Sequence, residues 1–88
     1  MPAALVTGAG GGLGLAIARM LASRGYEVAV TDVDGAAAER AAEAIGSGAW
    51  SLQLDVTEGE ACREAASELV ARAGALDIWV NNAAGSCS

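Results

Sequence analysis

Between Ala3 and Leu21 the sequence changes character twice, and the stretch in the middle decides what the rest of the chain can become. Ala3 to Val6 is an uninterrupted apolar run, the pattern of a parallel strand buried on both faces. Positions 8 to 14 then hold five glycines in seven places, Gly8, Gly10, Gly11, Gly12 and Gly14. There the backbone can turn tightly and approach a ligand with no Cβ in the way. From Leu13 the period becomes helical: Leu13, Ile17, Met20 and Leu21 fall at i, i+4, i+7 and i+8 and are expected to share one face. That helix should end near Arg24, with Gly25 as the left-handed residue that closes it. Strand, glycine turn and helix in this order point unpaired N–H groups and the positive end of a helix dipole at the loop, which suits a pyrophosphate. A purely steric use of glycine in a tight turn is the competing explanation, and the surrounding residues have to decide.

The remaining chain repeats the alternation. Tyr26 to Thr31 reads as a second strand, with Val28 and Val30 on one face, stopping at Asp32. Asp34 to Ile45 is an Ala-rich helix closed by Gly46, with Asp34 as its cap. Ala49 to Asp55 alternates, placing Trp50, Leu52 and Leu54 on one face of a third strand. Thr57 with Glu60 forms a capping-box pattern for a third helix running to Ala73, whose inward stripe comprises Ala61, Ala65, Ala66, Leu69, Val70 and Ala73. Cys62 lies beside that stripe as a small filler, and Glu58, Glu60, Glu64 and Glu68 make a solvated face. Leu76 to Val80 is a fourth apolar strand, running into Asn81-Asn82-Ala83.

Right-handed crossovers turn this alternation into an α/β, doubly wound parallel sheet. Two successive crossovers on one face and a third returning across the other give the strand order 3-2-1-4 with three helices. The switch point then falls between strands one and four, bringing the glycine loop beside Asn81 and Asn82 at the carboxyl edge. Asp32, some twenty positions past the loop at the end of the second strand, is placed to accept hydrogen bonds from the hydroxyls of an adenosine ribose. It would repel a 2′-phosphate, and no Arg follows it to compensate, so NAD is favoured over NADP.

Composition removes several other functions. With 88 residues the chain is at most one small domain, residues 1-88, burying roughly 60–65% of its unfolded surface. A net charge of −6, with five Arg and no Lys, offers no basic patch for nucleic acid and no lysine for the usual nucleotide-hydrolase loop. There is no His, and Cys62 and Cys87 stand in no metal or redox spacing, so no metal site is expected and the two cysteines read as reduced thiols. No basic-then-apolar leader and no apolar stretch near the roughly 20 residues of a membrane span is present, so a cytoplasmic protein is expected.

Thr7-Gly8-x-x-x-Gly12-x-Gly14, Asp32 after the second strand, Asp55-Val56 after the third and Asn81-Asn82-Ala83 after the fourth occur together at these intervals. In this combination the chain resembles the short-chain dehydrogenases/reductases, from Ala4 to Gly85, with Ala84 where that family usually has Gly. The resemblance implies a partial Rossmann-like domain. It also implies that Gly8, Gly12 and Gly14, with backbone from Gly10 and Leu13, hold the pyrophosphate and that Asp32 binds the adenine ribose. Asp55 would bond the adenine amino group with Val56 beside the ring, and Asn82 and Ala83 would offer backbone to the ribose. Thr7 would tie the first strand to the Asn-Asn segment, so Thr7 and Asn81 serve structure more than binding.

The same resemblance implies chemistry by a Tyr and a Lys four residues later, assisted by a Ser and a further Asn, all beyond the Asn-Asn-Ala segment. The one tyrosine here, Tyr26, is followed at that spacing by Val30, so no catalytic residue is assigned and the chain alone is expected to be inactive. The leading expectation is the amino-terminal dinucleotide-binding part of an NAD-dependent oxidoreductase, which in its intact form acts on a small carbonyl or alcohol and is open to homo-oligomer formation. A non-catalytic dinucleotide-binding module and a methyltransferase-like fragment are the alternatives; the Thr7-led spacing and Asn81-Asn82 oppose the second of these. With Ile78, Trp79 and Val80 on an open edge, the isolated chain is expected to be marginal or to associate.

Overall fold

A computed structural model describes residues 2–83. Seven elements follow one another: β1 (Ala3–Val6), α1 (Gly12–Ser23), β2 (Glu27–Asp32), α2 (Gly35–Ile45), β3 (Ala49–Gln53), α3 (Gly59–Ala73) and β4 (Ile78–Val80). The strands form one sheet in the order β3-β2-β1-β4, every neighbouring pair parallel. Leu5 stands opposite Ala29 on one side and Trp79 on the other, so β1 is flanked by strands on both sides. This is the doubly wound arrangement expected from the alternation of apolar runs and helical periods.

The sheet separates two apolar clusters. On one face Ala4, Val6, Val28 and Val30 pack with Ala18 and Leu21 of α1 and Ala38, Ala41 and Ala42 of α2. On the other, Ala3, Leu5 and Ala29 pack with Cys62, Ala65 and Leu69 of α3. Side chains of a strand alternate between faces, so β1 feeds both clusters and all four of its residues are fully buried. The contact faces of α1 and α2 are made mostly of Gly and Ala, which lets each helix lie close to the strands.

Two expected faces differ. In α1 the buried residues are Gly14, Ala18 and Leu21, whereas Leu13 is 69% and Met20 44% exposed. The helix turns its smallest residues inward because the glycine loop holds its first turn directly against the end of β1. In α3 Cys62, Ala65 and Leu69 are buried and Val70 is exposed. The capping box at Thr57 does not form: α3 begins one turn-step later with Glu58 as N-cap and no side-chain cap bond. The Thr57 hydroxyl donates instead to Asp55 Oδ1 at 2.6 Å, a partner two residues away that is reached without ordering a helix.

Helix α2 matches its expected start, with Asp34 Oδ1 accepting from the N–H groups of Ala36 and Ala37 at 3.1 and 3.2 Å. Gly25, Gly46 and Gly74 follow the three helices with positive φ. Glu58, Glu60, Glu64 and Glu68 are exposed. The expectation of reduced thiols does not hold at Cys62, whose sulfur is disulfide-bonded; Cys87, like Ala84 and Gly85, lies outside the described residues. Among the described residues no helix is long and apolar enough to cross a membrane, and no group of three or more His, Cys, Asp or Glu is placed to hold a metal.

Candidate dinucleotide site

All four strands run the same way, so the segments after them converge on one edge of the sheet. The first of these is the glycine loop, and its shape is fixed from both sides. Thr7 N donates to Val80 O at 3.0 Å, Ala9 N to Thr31 O at 2.9 Å and Gly10 N to Asp32 Oδ2 at 3.0 Å. The loop is therefore fastened to β4 at one end and to β2 at the other.

Two positions here favour glycine for different reasons. Gly12 sits at φ +57 with open space around it, a left-handed backbone that a side chain disfavours. A Cβ on Gly14 would fall on the Gly8 carbonyl oxygen and 2.6 Å from Asn82 Nδ2, so the first turn of α1 presses directly on the loop. Gly11, the residue before α1, supplies no side-chain cap, and the first turn of the helix holds no acidic residue. Among the described residues no side chain takes the N–H groups at this helix end, whereas Asp34 takes those of Ala36 and Ala37 in α2.

Across the switch point, Thr7 joins β1 to the segment after β4. Its buried hydroxyl donates to Val80 O at 3.3 Å and accepts from the N–H groups of Asn82 and Ala83 at 3.0 and 3.1 Å. The Asn82 amide in turn donates to Gly8 O at 3.2 Å, which fixes the loop's first carbonyl. Asn81 is exposed and accepts a bond from Trp79 Nε1 at 2.8 Å, so it steadies β4 and does not reach Thr7.

At the other side, Asp32 places both carboxylate oxygens on backbone: Oδ2 takes Gly10 N–H and Oδ1 takes Asp34 N–H, each at 3.0 Å. Beyond it lies an open cleft of about 280 Å³ lined by Gly8, Asp32, Leu54, Asp55, Val56 and Ala83, together with Val33 and Thr57. Asp55 closes a turn by accepting the Thr57 hydroxyl and, at 2.9 Å, the Thr57 N–H. Those two bonds, the hydroxyl's first, hold the Asp55 carboxyl below its ordinary value of 3.8. The cleft thus has a carboxylate on each side and apolar walls from Val33, Leu54 and Val56.

Gly8, Asp32, Asp55, Val56 and Ala83 meet at this cleft, Asn82 stands behind Gly8, and Gly12, Leu13 and Gly14 form the helix end beside the loop. Val33 was not singled out from the sequence, although it is 63% exposed and lines the cleft. An apolar residue directly after Asp32, with no strand position left to bury it, was the available signal. A second cleft of about 570 Å³, lined by Glu39, Ala42 and Glu43 of α2, Trp50 and Ser51 of β3 and Arg72 of α3, touches none of these residues.

The match of the short chain dehydrogenase family extends over residues 2–88. The chain belongs to the short-chain dehydrogenases. Sorbitol dehydrogenase of Cereibacter sphaeroides is 41% identical over 81 residues, covering 92% of this chain and 32% of that enzyme. Among solved structures, a hydroxysteroid dehydrogenase from Escherichia coli superposes with a TM-score of 0.89 at 33% identity, over 96% of this chain and 37% of that one. A 3-ketoacyl-(acyl-carrier-protein) reductase from Brucella melitensis, solved in complex with NADH, gives 0.84 at 35% identity over 89% and 32%. This short-chain dehydrogenase sequence spans about a third of the length of the curated relatives it matches.

Proposed function

We propose that residues 1–88 are the amino-terminal part of a single dinucleotide-binding domain, and that the intact protein is an NAD-dependent oxidoreductase acting on a small carbonyl or alcohol. The observation that carries this reading is the bare amino end of α1. Among the described residues no side chain caps it and no acid occupies its first turn, while two glycines keep side chains away from the loop that it faces.

Each part of the chain then has a defined task. The N–H groups at the start of α1, with Gly12 and Leu13, receive the pyrophosphate. A carboxylate offers about four acceptor positions, and Asp32 uses two on Gly10 and Asp34, leaving two for a vicinal diol of the adenosine ribose. Val33 and Val56 flank the base, Asp55 accepts from its amino group, and the backbone of Asn82 and Ala83 faces the second ribose. NAD, when bound, supplies the hydride-accepting nicotinamide. The residues that move the proton belong to parts of the intact protein beyond these four strands, since Tyr26 lies under α1 and away from the loop.

NAD is preferred because a 2′-phosphate would meet the fixed Asp32 carboxylate with no cation beside it. Calorimetric titration of the intact protein with NAD and NADP tests the reading. Binding of NAD at least about tenfold tighter than NADP is expected, and D32A should erase that ratio. Absence of binding to either dinucleotide would refute the proposal.

A further inference from the structure

Asp32 does more in this structure than end a strand. Its two oxygens collect N–H groups from different elements, Gly10 of the glycine loop and Asp34 of the turn into α2, both at 3.0 Å. Ala9 is held by main chain alone, through Thr31 O at 2.9 Å, so the Asp32 bond is the one side-chain tether that the described residues show on the middle of the loop. The fit around it is close. A Cβ on Gly10 would come to 2.7 Å from Ala37 Cβ and 2.8 Å from Asp32 Oδ2, so the loop already rests on the first turn of α2 and against the carboxylate.

Resting on the dinucleotide reading above, we infer that Asp32 is a positioning residue for the glycine loop as well as the acceptor for the ribose. Selectivity between the two dinucleotides and the geometry of the pyrophosphate cradle are therefore coupled through one side chain. Removing the carboxylate relieves repulsion of a 2′-phosphate and at the same moment releases Gly10. Asparagine cannot replace it: its single carbonyl oxygen can take one of the two N–H groups, and its amide then faces the other, donor against donor.

Amide hydrogen exchange on the intact protein without dinucleotide tests the tether directly. In D32A the Gly10 amide should exchange about tenfold faster or more, as expected for loss of a bond to a charged acceptor, while the Ala9 and Thr7 amides keep their protection. D32N should give a smaller rise confined to Gly10 or Asp34, which keeps the test available if D32A does not fold. Unchanged exchange at Gly10 and Asp34 in both variants would overturn the inference.

Dinucleotide titration supplies the second readout. G10A sets a methyl group against Asp32 and Ala37, so it shifts the loop and the carboxylate together and should weaken NAD binding. D32S combined with V33R removes the repulsion and adds a cation at an exposed position, yet should bind NADP about tenfold more weakly than the unaltered protein binds NAD. Equality of those two affinities would show that Asp32 serves the ribose alone. If the unaltered protein binds neither dinucleotide, the functional proposal fails, and hydrogen exchange still decides the tether.

Discussion

Thr7 offers the sharpest test of how the two halves of the switch point are joined. Its side chain is almost fully buried, and its hydroxyl is the acceptor for two backbone N–H groups, those of Asn82 and Ala83. Valine has the same shape without the oxygen, so T7V leaves both donors unpaired. An orphaned donor costs about 1–3 kcal/mol when water cannot reach it. Asn82 and Ala83 are only half-buried, which places the pair toward the low end, about 2–3 kcal/mol in all. For a unit of this size that corresponds to a fall of roughly 10–20 °C in melting temperature. Serine keeps the hydroxyl and loses one methyl group, so T7S should cost about 1 kcal/mol. Thermal unfolding of the three proteins, with amide exchange at Asn82 and Ala83 as the local readout, measures the difference. If T7V lies within about 0.5 kcal/mol of the unaltered protein, or T7S is equally damaging, the hydroxyl is not what couples β1 to the segment after β4.

The glycine loop gives a graded series. G11A should be tolerated, since its backbone is extended and nothing lies near a new Cβ, whereas G12A should lose about 1–2 kcal/mol to its left-handed backbone and G14A more than either, all readable by denaturant midpoint. Asp55 should titrate below 3.8 in a carbon-detected NMR pH series, and T57V should return it toward that value. Because folding lowers this pKa, the contribution is complete above the ordinary value and disappears as pH falls through the lowered one. Chains of residues 1–88 alone should show concentration-dependent association by light scattering, because the outer edge of β4 pairs with no strand among the described residues; a monomer with a concentration-independent transition would count against this.

Much of this architecture was legible because local and global signals agree. Ala3 to Val6 is apolar throughout since both faces of β1 are covered, and the glycine clusters and Asp34 mark helix ends through backbone requirements that act within a few residues. Asp32, Asp55 and Asn82 could be assigned to one edge because parallel topology forces every strand's carboxyl end to the same side. Less was legible where two partners compete or where apolarity has two uses. Thr57 has both the spacing of a helix cap and a carboxylate two residues away, and the nearer partner wins. Leu13 and Met20 fall in helical register with Leu21 yet remain exposed, because close packing at Gly14 and Ala18 sets the rotation of α1. Hydrophobic period alone cannot report that a glycine presses on a carbonyl.

The unequal cover of the sheet has an optical consequence. Two helices lie over the face that Tyr26 joins, while α3 alone lies over the face that receives Trp50 and Trp79. A helix is about 10 Å across and four strands span roughly 19 Å at their widest, so one helix shields about half of that face. Both indoles are only partly buried there, and Arg72 stacks on Trp50 at 4.2 Å. Indole emission therefore samples one side of the sheet. Whatever comes to lie over the α3 side should blue-shift the tryptophan spectrum, giving the protein a built-in gauge of how completely that layer is closed.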